Sequence, residues 1–477
     1  MNPLWWDHLF WMLALTGVAI GALLLLPSPL GRLFDGRISA SSLAVAFYLI
    51  YSIPFAFDYI FSIIGPEDVS IHTVAMLKIS FIGMSGLLAG VVIARGIIRR
   101  REAQTPAPFE PAHLRRFLWL GGILLVLGWG LIWLGSKPFG GIIAFLSTPY
   151  LARLLKMTAG FSFLHYAVIV YMAAGQVGGF LLAGYLRLRR PLREKLLPLL
   201  LSAVILLLPA LWFALWGQRR GMIVGTLVFL VFFSCYVRRI RFGYAMLALA
   251  SFYAILVAVS IIRSMTIATY SPEYAKKIFQ AEMRTGIMGM FSLSKNDPGL
   301  TLIPVGDIYD YQERGGELLW GRSYAVAIAW AIPRPLRFTG ERPEGVGRWY
   351  TRKFDPEHHA RGGVVAVTST AEALANFGLT GVFLIHLLIM FVFVSFEALV
   401  SRGVIGTALL IGSIPFYVLI LHHHSNMNLV KLTYVLGLFL FFVFLIYGPG
   451  LLRGRGRASP ESQVQAGTLP SLATPAE

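Results

Sequence analysis

Eleven long apolar runs, separated by short polar connections, constrain this chain more than any other feature in it. They lie near 9–27, 40–64, 73–98, 117–135, 160–186, 197–216, 221–237, 243–262, 377–398, 404–421 and 429–447. A bilayer's hydrocarbon core is ~30 Å thick and takes about 20 apolar residues per helix, so each run is near spanning length. The stretch 197–237 must be two spans, because about 41 helical residues in one rod would rise about 60 Å, twice that core. Its reversal falls at Gln218, Arg219 and Arg220. Only 13% of the 477 residues are charged and 57% are hydrophobic. Soluble proteins carry about 25% charge, so this chain cannot cover a water-facing surface. A soluble multi-domain enzyme is excluded. The expectation is an all-α polytopic membrane protein of about eleven transmembrane helices.

Charge sets the sides. The net charge of +18 would point to nucleic acid in a soluble protein, but here the question is which loops hold it. One set of short connections carries twenty basic residues, among them Arg95, Arg99–Arg101, Arg187–Lys195 and Arg238–Arg241, and the opposite set carries five. Cytoplasmic loops collect Lys and Arg, which predicts the N-terminus outside and the C-terminus in the cytoplasm. Met1 to His8 holds no basic residue, which argues against a cleaved signal peptide. The single cysteine, Cys235, lies in an apolar run and allows no intramolecular disulfide.

This topology divides the chain into four parts. Residues 1–262 hold eight spans, 263–376 form one large external loop with interfacial helices, and 377–447 hold three spans. Residues 448–477 form a polar tail whose Ser, Pro, Gln and Ala content predicts disorder. The loop has 14 Lys+Arg and 12 Asp+Glu in 114 residues, too long for a connector.

Three places there and in the turns could carry chemistry. Arg219 and Arg220 sit in an outward turn, against the charge bias of the other outward turns; the guanidinium fork suits a diphosphate, although both side chains could equally reach lipid headgroups. The stretch 332–348 carries Arg334, Arg337, Arg342 and Arg348 among three prolines and several glycines, an irregular loop able to wrap an anion or simply to face anionic lipid. His358, His359 and Arg361 follow it. Third, Glu372 and Asn376 lie four apart, on one helical face, just before the ninth span. A carboxylate there can serve as a general base or merely complement a helix start. Tyr309, Tyr311 and Trp320 suit stacking on sugar rings or anchoring at the membrane interface. The run Tyr324–Ile332 is too short to span and is expected to lie in the interface. Three adjacent histidines, His422–His424, point about 100° apart on a helix and make a poor metal site. Within the spans, Asp58 and Lys78 are too few for an ion pathway.

In this order, the turn Gln218–Gly221, the segment Pro333–Pro335 and Glu372 with Asn376, Phe377, Gly378 and Gly381 resemble the bacterial O-antigen and oligosaccharide repeat-unit polymerases of the Wzy type. The resemblance implies a fold like that of C-type glycosyltransferases in the bacterial inner membrane, with the large loop in the periplasm. It implies inverting, metal-independent transfer between undecaprenyl-diphosphate-linked oligosaccharides, as part of O-antigen or exopolysaccharide synthesis, with no cofactor. Arg219, Arg220, Arg334, Arg337 and Arg361 would hold diphosphate, Glu372 or His358 would act as base, and Tyr309, Tyr311 and Asn376 would bind sugar. A flippase and a chain-length regulator would be partners beside membrane lipid, and nucleic acid would not. An O-antigen ligase is the alternative, since it shares the loop and the lipid-diphosphate donor. A flippase or transporter fits less well, because the spans carry so little charge.

Overall fold

The computed structural model describes residues 3–26, 38–61, 71–98, 111–147, 163–216, 219–241, 244, 297–331, 344–360, 362–400, 403–422 and 425–448. Regular structure among the described residues is helical throughout. In chain order the helices are α1 (Pro3–Leu25), α2 (Ala40–Ser52), α3 (Pro54–Ile60), α4 (Ile71–Ile98), α5 (Pro111–Ser136), α6 (Ile142–Ser147), α7 (Phe163–Arg187), α8 (Leu192–Trp216) and α9 (Arg219–Phe232). They continue with α10 (Asp297–Glu313), α11 (Arg322–Ala331), α12 (Val346–Phe354), α13 (Pro356–Ala360), α14 (Ser369–Val400), α15 (Gly403–His422) and α16 (Ser425–Tyr447).

Six of these are long and apolar enough to cross a membrane: α1, α4, α5, α7, α8 and α14. The run 40–64 is not one rod but the pair α2 and α3, bent by 59°, and counting it as one span gives seven. Pro54 causes the bend, since it lacks an N–H and its ring clashes with the preceding turn. Helices α9, α15 and α16 contribute further apolar stretches, which among the described residues cover Gly221–Val237, Ile405–Leu421 and Lys431–Leu445. The run 243–262 lies outside the described residues apart from Tyr244. The stretch 197–237 breaks into α8 and α9 at the arginine pair, as its length requires, and the two helices pack together.

The outer helices present large side chains to their surroundings, including Trp119, Val126, Leu197 and Leu207. So much exposed apolar area is untenable in water and suits lipid, which makes this a multi-pass membrane protein. The central helix α7 is instead buried on nearly every face. Glycines bring the central helices into backbone contact, because lipid supplies no hydrophobic drive and close packing must replace it. A Cβ at Gly86 would lie 2.3 Å from the Phe383 carbonyl oxygen, and one at Gly90 2.5 Å from that of Leu387. The same close approach joins α7 to α9, where a Cβ at Gly179 would lie 2.2 Å from the Gly225 oxygen.

These contacts also fix helix directions. On α4, Gly86 meets Phe383 and Gly90 meets Leu387, so α4 runs parallel to the later part of α14. Helix α2 runs the other way: Ser41 meets Glu397 near the end of α14, whereas Tyr48 meets Thr370 and His386. One end of the bundle therefore gathers Ile38, Ser41, Ser234 and Glu397. A second, smaller apolar core lies toward the other end, where α10 and α12 pack on Met76 and Ile79 of α4 and on the start of α14.

Candidate functional site

Helix α14 is two limbs. At Gly378 the backbone leaves helical geometry with φ 66 and ψ −159. In a straight helix Ser369 and His386 would be about 25 Å apart. Here Ser369 Oγ lies 3.4 Å and Thr370 Oγ1 3.2 Å from His386 Nε2, so limb 369–377 folds back along the limb that follows. The Gly381 position confirms the reversal, since a Cβ there would meet Phe377 Cβ and the Ala373 oxygen.

A limb that ends at a reversal leaves its last carbonyls without helical partners. The end of α10 and the strap that follows it supply them. Gln312 Nε2 donates to the Leu374 oxygen (2.6 Å), Leu319 N–H to Ala375 (2.9 Å) and Trp320 N–H to Asn376 (3.0 Å). To do so the strap holds Trp320 at φ 49 and Gly321 at φ 83. Tryptophan at positive φ is a strained outlier, and such strain persists only where its surroundings impose it. At the other end of the limb Thr368 Oγ1 accepts the Ala371 N–H and caps it.

The strap then starts α11 with Ser323 directly against the folded-back limb. Ser323 Oγ donates to Glu372 Oε1 at 2.6 Å and accepts from Asn376 Nδ2 at 2.7 Å. The same Nδ2 donates to the Glu372 backbone oxygen at 2.7 Å. A carbonyl can only accept, so this bond fixes which amide atom points where. Asn376 Oδ1 faces the other way; it is buried and has no hydrogen-bond partner among the described residues. Glu372 and Asn376 are 1% and 0% exposed, so the sequence-level pair on one helical face is a buried one.

Next to Ser323, the Tyr324 ring stacks on Phe377 with centroids 6.1 Å apart and planes within 8°. Its hydroxyl is also buried without a partner among the described residues. Burial first, and then the nearby Glu372 charge, hold this phenol well above its usual pKa, so it stays a donor. The run that the sequence assigns to the interface thus forms α11, which packs along α16, the helix carrying Lys431.

Other sequence candidates stand apart from this group or lie outside it. His358 sits on α13, its N–H bonded to Asp355 Oδ1 and its ring flat over Gly363. Tyr309 packs on the smaller core. Tyr311 accepts the Glu317 N–H (3.1 Å), while Trp349 and Phe354 flank its ring and Lys353 Nζ lies 4.8 Å over it. Its faces are occupied by packing rather than left open for a sugar. Arg219 and Arg220 open α9, and Ser234 at the far end of that run bonds Ile38 at the Glu397 end. The arginine backbones therefore lie toward the Glu372 end; their side chains, and all of Arg334, Arg337 and Arg361, are outside the described residues. His423 and His424 are outside them too, and among the described residues no three His, Cys, Asp or Glu side chains converge as a metal site would need.

Sequence reasoning missed the anchor beneath the limb. His386 Nδ1–H donates to the Val382 oxygen (2.7 Å), which leaves Nε2 to accept from the Thr370 hydroxyl. Tyr48 Oη lies 3.1 Å from the same hydroxyl, and Ser369 Oγ donates to the Leu421 oxygen. The signal available was a histidine inside an apolar run, expensive enough to need a reason. Compared with known protein families, characterised proteins and solved structures, the chain matches none.

Proposed function

We propose that this protein is a glycosyltransferase that polymerises oligosaccharide repeat units carried on undecaprenyl diphosphate. The observation that carries the reading is Glu372, a carboxylate buried where the bundle meets its loop helices and held by Ser323 on a limb turned back for that purpose. In the proposed reaction an acceptor sugar hydroxyl attacks the anomeric carbon of the donor from the face opposite the diphosphate. Glu372 takes the hydroxyl proton, the bond to lipid diphosphate breaks, and the anomeric centre inverts. Arg219, Arg220, Arg334, Arg337 and Arg361 receive the departing charge, the task for which guanidinium forks are suited. His358 keeps a supporting place as an alternative base.

The reading extends to the whole chain. Eleven spans, an external N-terminus and a cytoplasmic C-terminus would put Glu372 at the periplasmic face of a bacterial inner membrane, in an architecture like that of C-type glycosyltransferases. A flippase would supply the substrate and a chain-length regulator would limit the product.

Purified protein given one lipid-linked repeat unit should produce a ladder of polymer, in the presence of a chelator as in its absence. A ligase would make product only when a second, different acceptor is added, and a flippase would make no new covalent product. Failure to produce a ladder from the native substrate, with transfer to a separate acceptor, would replace polymerase by ligase.

A further inference from the structure

Two polar atoms near Glu372 are buried without partners among the described residues, Asn376 Oδ1 and Tyr324 Oη. A buried polar group without a partner is costly, so two of them on residues that flank the Ser323–Glu372 bond mark a place that something else completes. One is an acceptor and the other a donor, a complementary pair for a ligand bearing hydroxyls. Beside them is an open aromatic surface. Trp320 is 74% exposed, and Phe377, one face of which carries Tyr324, is also exposed. Gly321 connects the two, because a Cβ there would sit 3.2 Å from Phe377 Cζ. Trp320 is also the strained residue of the strap, and its N–H bonds the carbonyl of Asn376 itself. An exposed tryptophan held at a cost, next to unfilled polar groups, is a binding arrangement; simple membrane anchoring requires neither the strain nor the empty partners.

We propose that Trp320, Tyr324, Phe377 and Asn376 form a sugar subsite, in which one hydroxyl of a sugar ring donates to Asn376 Oδ1 and another sugar oxygen accepts from Tyr324 Oη. The ring's apolar face lies on the aromatic surface. The inference rests on the glycosyl-transfer reading and moves its sugar contacts from Tyr309 and Tyr311 to the strap and α11. It also places the sugar next to Glu372, where an acceptor hydroxyl must be.

The test is direct binding, independent of turnover. The probe is the repeat-unit oligosaccharide released by mild acid from the native host's lipid-linked pool, titrated into the full-length protein in detergent. Tyr324→Phe keeps the stacked ring and removes only the hydroxyl, so affinity should fall about tenfold or more while the melting temperature stays level or rises. Trp320→Gly relieves the positive φ and should also weaken binding without lowering the melting temperature. Wild-type affinity in both variants would overturn the subsite while leaving glycosyl transfer intact. A drop in melting temperature for Tyr324→Phe would show that the hydroxyl already has a partner in the free protein, and would overturn the subsite as well. If the wild type binds no oligosaccharide yet still makes a ladder from the lipid-linked unit, the subsite falls and glycosyl transfer stands; no binding and no ladder would overturn both.

Discussion

Helix α14 buries two glutamates, one toward each end of the bundle, and they are bonded in different ways. Glu397, 3% exposed, accepts from both the N–H and the hydroxyl of Ser41, at 3.0 and 2.7 Å. It thereby caps the first turn of α2, where the orphan N–H groups and the helix dipole favour a carboxylate. The serines packed at that end are paired: Ser39 accepts the Ser42 N–H, and Ser234 both accepts from and donates to Ile38. Glu372 receives a side-chain hydroxyl from a distant segment, and its neighbours Asn376 and Tyr324 each keep a buried atom unpaired among the described residues. Equal burial therefore comes with different bonding. In the proposed function Glu397 is the structural carboxylate and Glu372 the working one.

The largest expected effect tests that contrast. Glu372→Gln keeps the shape and removes the base, so turnover should fall by about 10²–10⁴-fold, the usual worth of general-base catalysis, with an unchanged melting temperature. Glu397→Ala should do the opposite. It strands two buried donors of Ser41, at about 1–3 kcal/mol each, and lowers the melting temperature while each folded molecule stays active. Full ladders from Glu372→Gln would reduce Glu372 to a packing residue, and the two glutamates would then be alike.

How far the sequence reveals this contrast depends on distance along the chain. Glu372 and Asn376 are legible because four-residue spacing is a local rule, and the spans are legible because hydropathy is local too. Ser323 lies 49 residues before Glu372, and no local rule links them. The reversal at Gly378 is equally hidden, since a glycine that turns a helix back reads like one that merely enters a span. Two signals were open to reading. Pro54 within run 40–64 marks the break between α2 and α3, and the glycines at 83, 86 and 90 mark the seam where α4 meets α14. The eleven-span count rests on run lengths alone, and among the described residues six or seven helices meet the length and hydropathy of a span.

A smaller effect should follow from loosening the limb rather than its carboxylate. His386 touches no proposed reacting group, but with Tyr48 and Leu421 it holds Ser369 and Thr370, and so acts on Glu372 as a positioning residue. Misplacing a catalytic group by about 1 Å can cost up to about 10²-fold. His386→Leu should therefore lower kcat by about ten- to a hundredfold with KM nearly unchanged, and His386→Gln, which can still accept from Thr370, should recover part of it. Equal kcat in both variants and the wild type would detach the anchor from the site.

The smallest effect concerns two tyrosines of the same segment. Tyr324 has a hydroxyl without a partner among the described residues and belongs to the proposed subsite, whereas the Tyr311 hydroxyl is bonded to the Glu317 N–H and its ring lies among Trp349, Phe354 and the Lys353 ammonium. Gly316 closes against the same ring, since a Cβ there would meet it at 2.3 Å. Tyr311→Phe keeps all of the ring packing and removes one acceptor. The Glu317 N–H it releases is near solvent, and water can replace the lost bond, so the cost should be at or below the ~0.5–1.5 kcal/mol of an ordinary hydrogen bond. Oligosaccharide affinity should not change, in contrast to the tenfold loss expected for Tyr324→Phe. Titrating both variants with one oligosaccharide preparation compares a packed tyrosine with an open one under identical conditions. Matching losses would extend the sugar contacts down the strap to Tyr311, where the sequence first places them, and would show that a ring enclosed by packing can still be uncovered for substrate.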